Sequence, residues 1–208
     1  MTETIPGPAY RVETRRLVLR CYQPKDVRLL ESAVIESLEH LKPWMPWAHR
    51  EPLPLQERID LLREFRGNFD LEQEYVFGIF TEDESRLVGG TGLHPRVGAG
   101  GLEIGYWIHQ DFINQGYATE STASLVRVAF EINGVQRVEI HCDPDNVRSA
   151  AVPRKLGFSH EATLRKRNPF LDEMRDHMVW TLFAEGYPSS PAAGAKVAAY
   201  DAIGRRLL

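Results

Sequence analysis

The sequence predicts one α/β domain, with a mixed, mostly antiparallel sheet of about seven strands and four main helices. Runs with strand periodicity and runs with helical periodicity alternate along the chain, so that both helix–strand crossovers and hairpins are expected. The length of 208 residues, with 43% hydrophobic and 26% charged residues, is typical of an ordinary globular domain. We expect that domain over residues 11–184. An N-terminal segment (1–10) precedes it, and a C-terminal linker with a short helix (185–208) follows.

The first half of the chain begins with a strand. Val12–Tyr22 is rich in Val, Thr and Leu and lies between prolines, which predicts a strand. Apolar residues at three- and four-residue spacing then predict a helix from Pro24 to near Pro43 and another over Leu55–Phe65. The proline-rich segment between them, Lys42–His49, predicts a loop that carries two tryptophans.

The second half alternates strands and helices. Further strands are predicted at Glu74–Phe80, Arg86–Leu93, Leu102–Ile108, Arg137–Cys142, His160–Arg167 and Asp176–Phe183, the first two forming a hairpin and the last two flanking a polar turn at Pro169–Glu173. Helices are predicted at Gly116–Ile132 and Val147–Leu156. In the tail, Val197, Tyr200 and Leu207 lie roughly on one side of a short helix over Lys196–Leu208.

Composition excludes several classes of function. The formal charge of −4, from 25 basic and 29 acidic residues, offers no electrostatic footprint for nucleic acid. Met1–Gly7 lacks the pattern of a signal peptide and no apolar run has membrane-spanning length, so we expect a cytoplasmic protein without membrane contact. Cys21 and Cys142 are far apart and have no ligand-type neighbours, which predicts reduced thiols and no metal site.

A strand–turn–helix segment organises the rest. The strand Leu102–Ile108 leads through a polar turn into Asn114-Gln115-Gly116, which opens a helix. A glycine-containing turn at a helix start leaves several backbone N–H groups unpaired at the positive end of the helix dipole, where they can bind phosphate. We therefore expect a phosphate-bearing cofactor here, although an ordinary strand–helix connection has the same appearance.

Four segments in order carry a family resemblance: Glu13–Arg20, Leu38–Trp47, Glu103–Glu120 and Asn146–Phe158. With them the chain resembles GNAT-superfamily N-acetyltransferases, specifically the RimJ/RimL subgroup, which is named for enzymes that acetylate the N-termini of ribosomal proteins. The match covers about Arg11 to Phe183. The resemblance implies acetyl-CoA as donor, a primary amine as acceptor, and a sheet splayed between its fourth and fifth strands to admit the pantetheine arm. It also raises a homodimer as an option.

The resemblance assigns the cofactor contacts. The pyrophosphate loop corresponds to Gln115, Gly116, Tyr117, Ala118 and Thr119, which bind through backbone amides. Ile113 and Asn114 depart from the family pattern, which usually has Gln or Arg and then Gly there. Ile108 matches the position whose backbone N–H faces the thioester carbonyl, which makes it the expected oxyanion donor. Asn146 matches the residue that hydrogen-bonds the pantetheine arm, although it would equally serve as an N-cap.

Acid catalysis has several candidates. Relatives outside the subgroup often carry a Tyr general acid where this chain has Pro153, which excludes that mechanism. Ser149, one helical turn after Asn146, or Cys142 could protonate the leaving thiolate. Little help is needed, because a thiol has a pKa of about 8.5. Cys142 could equally be a small buried hydrophobe.

Glu103 is the candidate base. Period-two alternation puts it on the strand face of Gly105, Trp107 and His109, where it would act directly or through water. A solvated or salt-bridged carboxylate explains the same residue equally well. His109 and His141 are weaker alternatives, and either could be structural.

Acceptor binding falls to the loop after the first helix. Trp44, Met45, Trp47 and His49 would line the entrance, since proline-stiffened loops expose aromatics at low entropic cost. The same side chains could instead cap the core beneath the first helix.

Together these features predict an acetyl-CoA-dependent N-acetyltransferase that acts on a primary amine, foremost a protein N-terminal α-amino group. Alternatives are an enzyme for a small-molecule amine (antibiotic or metabolite) and a non-catalytic acyl-CoA-binding regulator. A nucleotide-hydrolysing P-loop is excluded, because no Lys-Ser or Lys-Thr follows Gly116.

Overall fold

The computed structural model describes residues 8–208. Residues 1–7, which belong to the predicted N-terminal segment, lie outside this description. The described residues form nine strands: β1 (Arg11–Glu13), β2 (Leu17–Arg20), β3 (Tyr75–Thr81), β4 (Leu87–His94), β5 (Gly101–Ile108), β6 (Arg137–Cys142), β7 (Ser159–Phe170), β8 (Glu173–Phe183) and β9 (Ala198–Tyr200). They make up one sheet in the order β7-β8-β6-β5-β4-β3-β2-β1-β9.

In the described part of the chain, four α-helices cover the two faces of the sheet: α1 (Val27–Leu41), α2 (Leu55–Asp70), α3 (Tyr117–Glu131) and α4 (Val147–Lys155). Helices α3 and α4 pack on one face, and α1 and α2 pack on the other. The core of the α3/α4 face includes Ile104, Leu125, Val126, Ile140 and Ala150. The core of the α1/α2 face includes Leu30, Val34, Leu62, Phe80 and Leu87. Within residues 8–208, no helix is both long and apolar enough to cross a membrane.

The predicted single strand Val12–Tyr22 is wrong, since the structure has a hairpin of β1 and β2 there. Thr14 closes the turn: its N–H donates to Leu17 O (2.9 Å), and its hydroxyl accepts from Leu17 N–H (3.1 Å). Threonine forms such local bonds readily, and they interrupt an extended run. Three predicted elements are shorter than those observed, because α2 continues to Asp70 and the hairpin strands β7 and β8 extend to a tight turn at 171–172.

A gap opens between β5 and β6. This is the one parallel pair of the sheet described for residues 8–208, and its register covers only Gly101–Glu103 against Arg137–Glu139. Beyond these residues β5 stays paired with β4, and β6 with β8, so the two strands diverge. The expected single α/β domain, splayed in the middle of a mixed sheet, is confirmed.

The helix predicted for the tail is wrong. Ala198–Tyr200 forms β9, which pairs antiparallel with β1 at the sheet edge. Before it, Tyr187 stacks on Phe130 of α3 with ring centroids 4.7 Å apart, and Ala195 O accepts from Arg127 (2.9 Å). Small residues let the tail run close along α3, and pairing with β1 satisfies its backbone in place of helical bonds.

Candidate active site

The start of α3 presents a row of backbone donors. In the part of the chain that the structure describes, the N–H groups of residues 115–119 find no acceptor, and the first bond of the helix is from Glu120 N–H to Gly116 O (2.9 Å). These donors stand at the positive end of a helix of 15 residues. Donors in this arrangement suit an anion such as the pyrophosphate of a nucleotide cofactor.

Backbone conformation explains how this loop tolerates its departure from the family pattern. Asn114 has φ +59° and Gly116 has φ +83°. Asparagine is among the few residues other than glycine that adopt positive φ readily. Asn114 therefore replaces the usual glycine without preventing the turn. The cofactor-binding role of residues 115–119 stays a prediction.

Arg16 anchors the loop, a role that sequence reasoning missed. Its Nε donates to Glu120 Oε2 (2.7 Å), Nη1 donates to Gln115 O (3.0 Å), and the guanidinium lies 4.1 Å from the ring centroid of Tyr117. The hydroxyl of Thr14 donates to the same carboxylate (2.7 Å). The β1–β2 turn thus fixes the helix start, through contacts about 100 residues apart that local patterns cannot indicate.

Ile108 directs its backbone into the gap. His109 N–H donates to Val88 O (2.8 Å), and Gly89 lies opposite Ile108. This makes Gly89–Ile108 a non-hydrogen-bonded pair, in which the N–H of Ile108 points away from β4. Because β6 has already diverged, that N–H faces the opening, as an oxyanion donor would require. Its side chain is buried core. The catalytic role itself stays a prediction.

Asn146, Ser149 and Cys142 lie together on the α3/α4 face. Asn146 caps α4, since its Oδ1 accepts from Ser149 N–H (3.1 Å). The N-cap role is therefore real, and a pantetheine contact would fall to the amide nitrogen. Cys142 is buried in the core, and burial raises the pKa of its thiol to about 11. A raised pKa makes this thiol a weaker acid than a free cysteine. The acid roles of Ser149 and Cys142 stay predictions.

Tyr106 contacts Ser149, a link that sequence reasoning missed. A proline at position 153 has no N–H, so the carbonyl of Ser149, four residues earlier in α4, loses its helical partner. The hydroxyl of Tyr106 donates to that carbonyl instead (2.9 Å) and lies 3.1 Å from Ser149 Oγ. Burial raises the pKa of Tyr106, so it stays protonated as a donor. Pro153 thus has two effects. It takes the position of the family's tyrosine acid, and it leaves the Ser149 carbonyl free to accept from Tyr106.

This contact predicts a coupling between Tyr106 and Pro153. Tyr106→Phe should lower the free energy of unfolding by about 1 kcal/mol, the usual contribution of one hydrogen bond. In a Pro153→Ala background it should cost less, because the alanine brings back an N–H that can reach the carbonyl. Urea unfolding of the wild type, both single variants and the double variant measures the coupling. Equal costs in the two backgrounds would show that the carbonyl does not depend on Tyr106.

Glu103 lies on the opposite face of the sheet from Ser149. It is 8% exposed, and Arg96 donates to both carboxylate oxygens (2.8 and 2.6 Å). Burial acts to raise the pKa of Glu103, but the hydrogen bonds and charge of Arg96 outweigh it and hold the pKa below its usual value. The salt-bridged alternative thus describes its contacts. A base role stays a prediction, with Oε2 lying 3.5 Å from His141 Nδ1.

Both alternative histidines are engaged by neighbouring groups. His109 is buried, its Nδ1 accepts from Asp111 N–H (3.1 Å), and its Nε2 lies 3.1 Å from Glu36. It ties α1 to the turn before α3. His141 lies two residues past the last residue of β6 that pairs with β5, with Nε2 2.7 Å from Glu139. Of the two, only His141 belongs to the charged group beside the gap.

The segment Lys42–His49, here called the tryptophan loop, lies on the same side of the molecule as Glu103. Trp47 packs edge-on against Trp107 of β5, with centroids 6.1 Å apart, and His49 packs edge-on against Phe170 of β7 (6.0 Å). Trp47 is 38% exposed, and Trp107 packs against the α1/α2 core, so both the entrance role and the core-capping role stay open. Met45 is partly buried, and its carbonyl accepts from Ala48 N–H (3.0 Å). Their substrate-binding role stays a prediction.

A cleft of about 530 Å³ lies between this loop and the ends of β6 and β8. Its lining includes Trp44 and the charged residues Asp143, Asp145, Glu173, Arg175 and Asp176. Arg175 lies 2.6 Å from Glu173 and 3.7 Å from Asp143, and the lining holds four carboxylates against this one guanidinium group. The excess negative charge suits a cationic amine.

Comparison with known proteins identifies the family. A family model described as acetyltransferase (GNAT) domain matches residues 16–159. The chain belongs to the GNAT acetyltransferase family. The ribosomal protein uS5-alanine N-acetyltransferase of Escherichia coli (strain K12) is 27% identical over 180 residues, which cover 84% of this chain and 91% of that protein. The ribosomal-protein-serine acetyltransferase of the same organism is 28% identical over 139 residues (65% and 76%).

A solved GNAT structure extends the likeness to the fold. Mycobacterium smegmatis RimJ, in complex with CoA-disulfide, superposes with a TM-score of 0.75 at 23% identity, over 90% of this chain and 92% of that one. The resemblance to the RimJ/RimL subgroup is confirmed, and the protein is a GNAT N-acetyltransferase.

Proposed function

We propose that this GNAT enzyme transfers the acetyl group of acetyl-CoA to a protein N-terminal α-amino group. The observation that carries the proposal is the row of free N–H donors at residues 115–119, beside a gap in the sheet into which the N–H of Ile108 points. The free edge of β5 there suits the amide groups of a pantetheine arm. Relatives named for acetylation of ribosomal-protein alanine and serine support the α-amino acceptor.

The two faces of the sheet would divide the chemistry. Bound acetyl-CoA supplies the acetyl group as a thioester. The N–H groups of 115–119 would hold its pyrophosphate, and Ile108 N–H would donate to the carbonyl oxygen as negative charge develops there. On the α3/α4 face, the hydroxyl of Ser149 would supply a proton to the leaving sulfur. On the other face, the acidic cleft and Trp44 would bind the amine.

An α-amino group is the acceptor that these residues suit best. Its pKa of about 7.7–8.0 leaves roughly a tenth of it neutral at pH 7, whereas a lysine, at about 10.4, is almost fully protonated. The pKa of Glu103 is lowered, so this carboxylate is too weak a base to deprotonate a lysine readily. Modest assistance is enough for an N-terminus.

Calorimetric titration with acetyl-CoA, with inorganic pyrophosphate as competitor, tests the donor. Release of free CoA thiol over a panel of amines tests the acceptor: peptides beginning with Ala or Ser, a polyamine and an aminoglycoside. We expect binding, weakened by pyrophosphate, and the highest kcat/KM on a peptide. A small amine ranked first would favour the metabolite or antibiotic enzyme. Binding without turnover would favour the regulator, and absence of binding would contradict all three.

A further inference from the structure

His177 of β8 lies near the end of β6, on the side of β6 away from the gap. Met178 pairs with Cys142 at the end of β6, so His177 stands one residue farther, next to the cleft residue Asp176. Since Val179 is directly opposite His141, alternation places the His177 side chain on the same face as His141. The two rings pack edge-on with centroids 4.7 Å apart.

The other candidate bases on this face are already bonded. Both oxygens of Glu103 accept from Arg96, and His141 lies between Glu103 (3.5 Å) and Glu139 (2.7 Å). In contrast, the buried Nδ1 of His177 has no hydrogen-bond partner within residues 8–208. A buried nitrogen without a partner is uncommon and calls for an explanation.

We propose, on the basis of the acetyl transfer proposed above, that His177 is the general base that takes the proton from the acceptor ammonium. The R–NH₃⁺ group gives one proton to the imidazole and becomes R–NH₂. As the C–N bond forms and the C–S bond breaks, sulfur leaves with the electron pair and takes up the second proton of the nitrogen by way of Ser149. His177 then returns its proton to solvent, which completes the balance of one amide, one thiol and one released proton.

The surroundings keep the ring neutral, as a base must be. Burial, and next the neighbouring His141, lower the pKa of His177 below its usual value, while Glu103 acts in the opposite sense. β7 contributes the uncharged Leu164 opposite His177. The charged and titratable groups that act on the ring are His141, Glu103, Arg96 and Asp143. Because the pKa lies below about 6.5, the base form persists at neutral pH and is lost only in acid.

The pH dependence of kcat on an N-terminal peptide tests this role. The wild type should keep its kcat down to below about pH 6.5. In His177→Gln the amine must lose its proton unaided, so kcat should fall below about pH 8, by about tenfold at pH 7 and a hundredfold at pH 6, and return to the wild-type value near pH 9. Acetyl-CoA affinity should be unchanged.

Two variants complete the design. His160→Gln changes an exposed histidine on the neighbouring strand β7 and should leave the profile intact. If His177 is the base, Glu103→Gln should keep its kcat down to below about pH 6.5, as the wild type does. If Glu103 is the base, kcat of Glu103→Gln should instead fall below about pH 8. Unchanged kinetics in His177→Gln would overturn the inference. A wild-type kcat that already falls below pH 8 would also overturn it, and this measurement does not depend on the folding of any variant. A wild type that acetylates no amine would instead contradict the proposed function.

Discussion

Gly116→Val should weaken acetyl-CoA binding by about 10- to 100-fold. The residue has φ +83°, and a built Cβ would meet nothing closer than an Arg16 guanidinium nitrogen at 3.6 Å. The variant therefore acts through backbone strain, which a β-branched residue relieves by leaving the left-handed region. The row of N–H donors then turns away from the phosphate. Loss of one hydrogen bond to a charged group corresponds to about 1.5–3 kcal/mol, which gives the stated range. Calorimetric titration measures it.

The opposite end of the same helix supplies a matched control. Gly134 has φ +66° just after α3, and a Cβ there would meet nothing within 4 Å. Gly134→Val should lose similar stability from strain, yet leave acetyl-CoA affinity intact. If both variants lost affinity equally, or if neither did, the helix start would not be the cofactor site.

The sequence allowed prediction of what depends on neighbours in the chain. The turn into α3 followed from a glycine at a helix start, and the period-two strand β6 was predicted with its observed bounds, Arg137–Cys142. The bonds that define the site were not predictable in this way. Arg16 meets Glu120 across 104 residues, and Tyr106 meets Ser149 across 43. The spacing of apolar residues along the chain does not indicate which distant side chains the sheet brings together.

The tail shows the same limit in backbone form. Val197, Tyr200 and Leu207 fit a helical stripe, but Ala199 is fully buried in β9. The unpaired edge of β1 decides the outcome, since a free strand edge gains hydrogen bonds from any segment that reaches it. Local propensity favours a helix only while no such edge is available.

The candidate chemistry is divided by the sheet itself. Ser149 and Cys142 lie on the α3/α4 face, whereas Glu103, His141 and His177 lie on the other, so proposed acid and proposed base meet only through the gap between β5 and β6. In the proposed reaction, the thioester would reach this gap from one side and the amine from the other. The short parallel pairing that opens the gap is therefore what would join them.

Arg58→Met should cause the largest loss of stability, about 3–5 kcal/mol, the usual cost of breaking a buried ion pair. Arg58 of α2 donates through Nη2 (2.6 Å) and Nη1 (3.2 Å) to Glu51, and the two side chains are 1% and 4% exposed. Methionine retains the apolar stem and leaves the carboxylate buried without its partner. Urea unfolding of Arg58→Met against the wild type measures the loss.

Controls on the same helix isolate the buried charge. Arg63 pairs with Asp60 at the surface, with side chains 68% and 53% exposed, so Arg63→Met should cost at most about 0.5 kcal/mol. Adding Glu51→Gln to Arg58→Met should restore part of the stability, because it removes the unpaired charge.

Glu51 closely follows the tryptophan loop and also accepts from Leu53 N–H (2.8 Å). Arg58→Met should therefore raise KM for the peptide while affinity for acetyl-CoA stays unchanged. Equal losses from Arg58→Met and Arg63→Met would mean that the pair does not hold this loop.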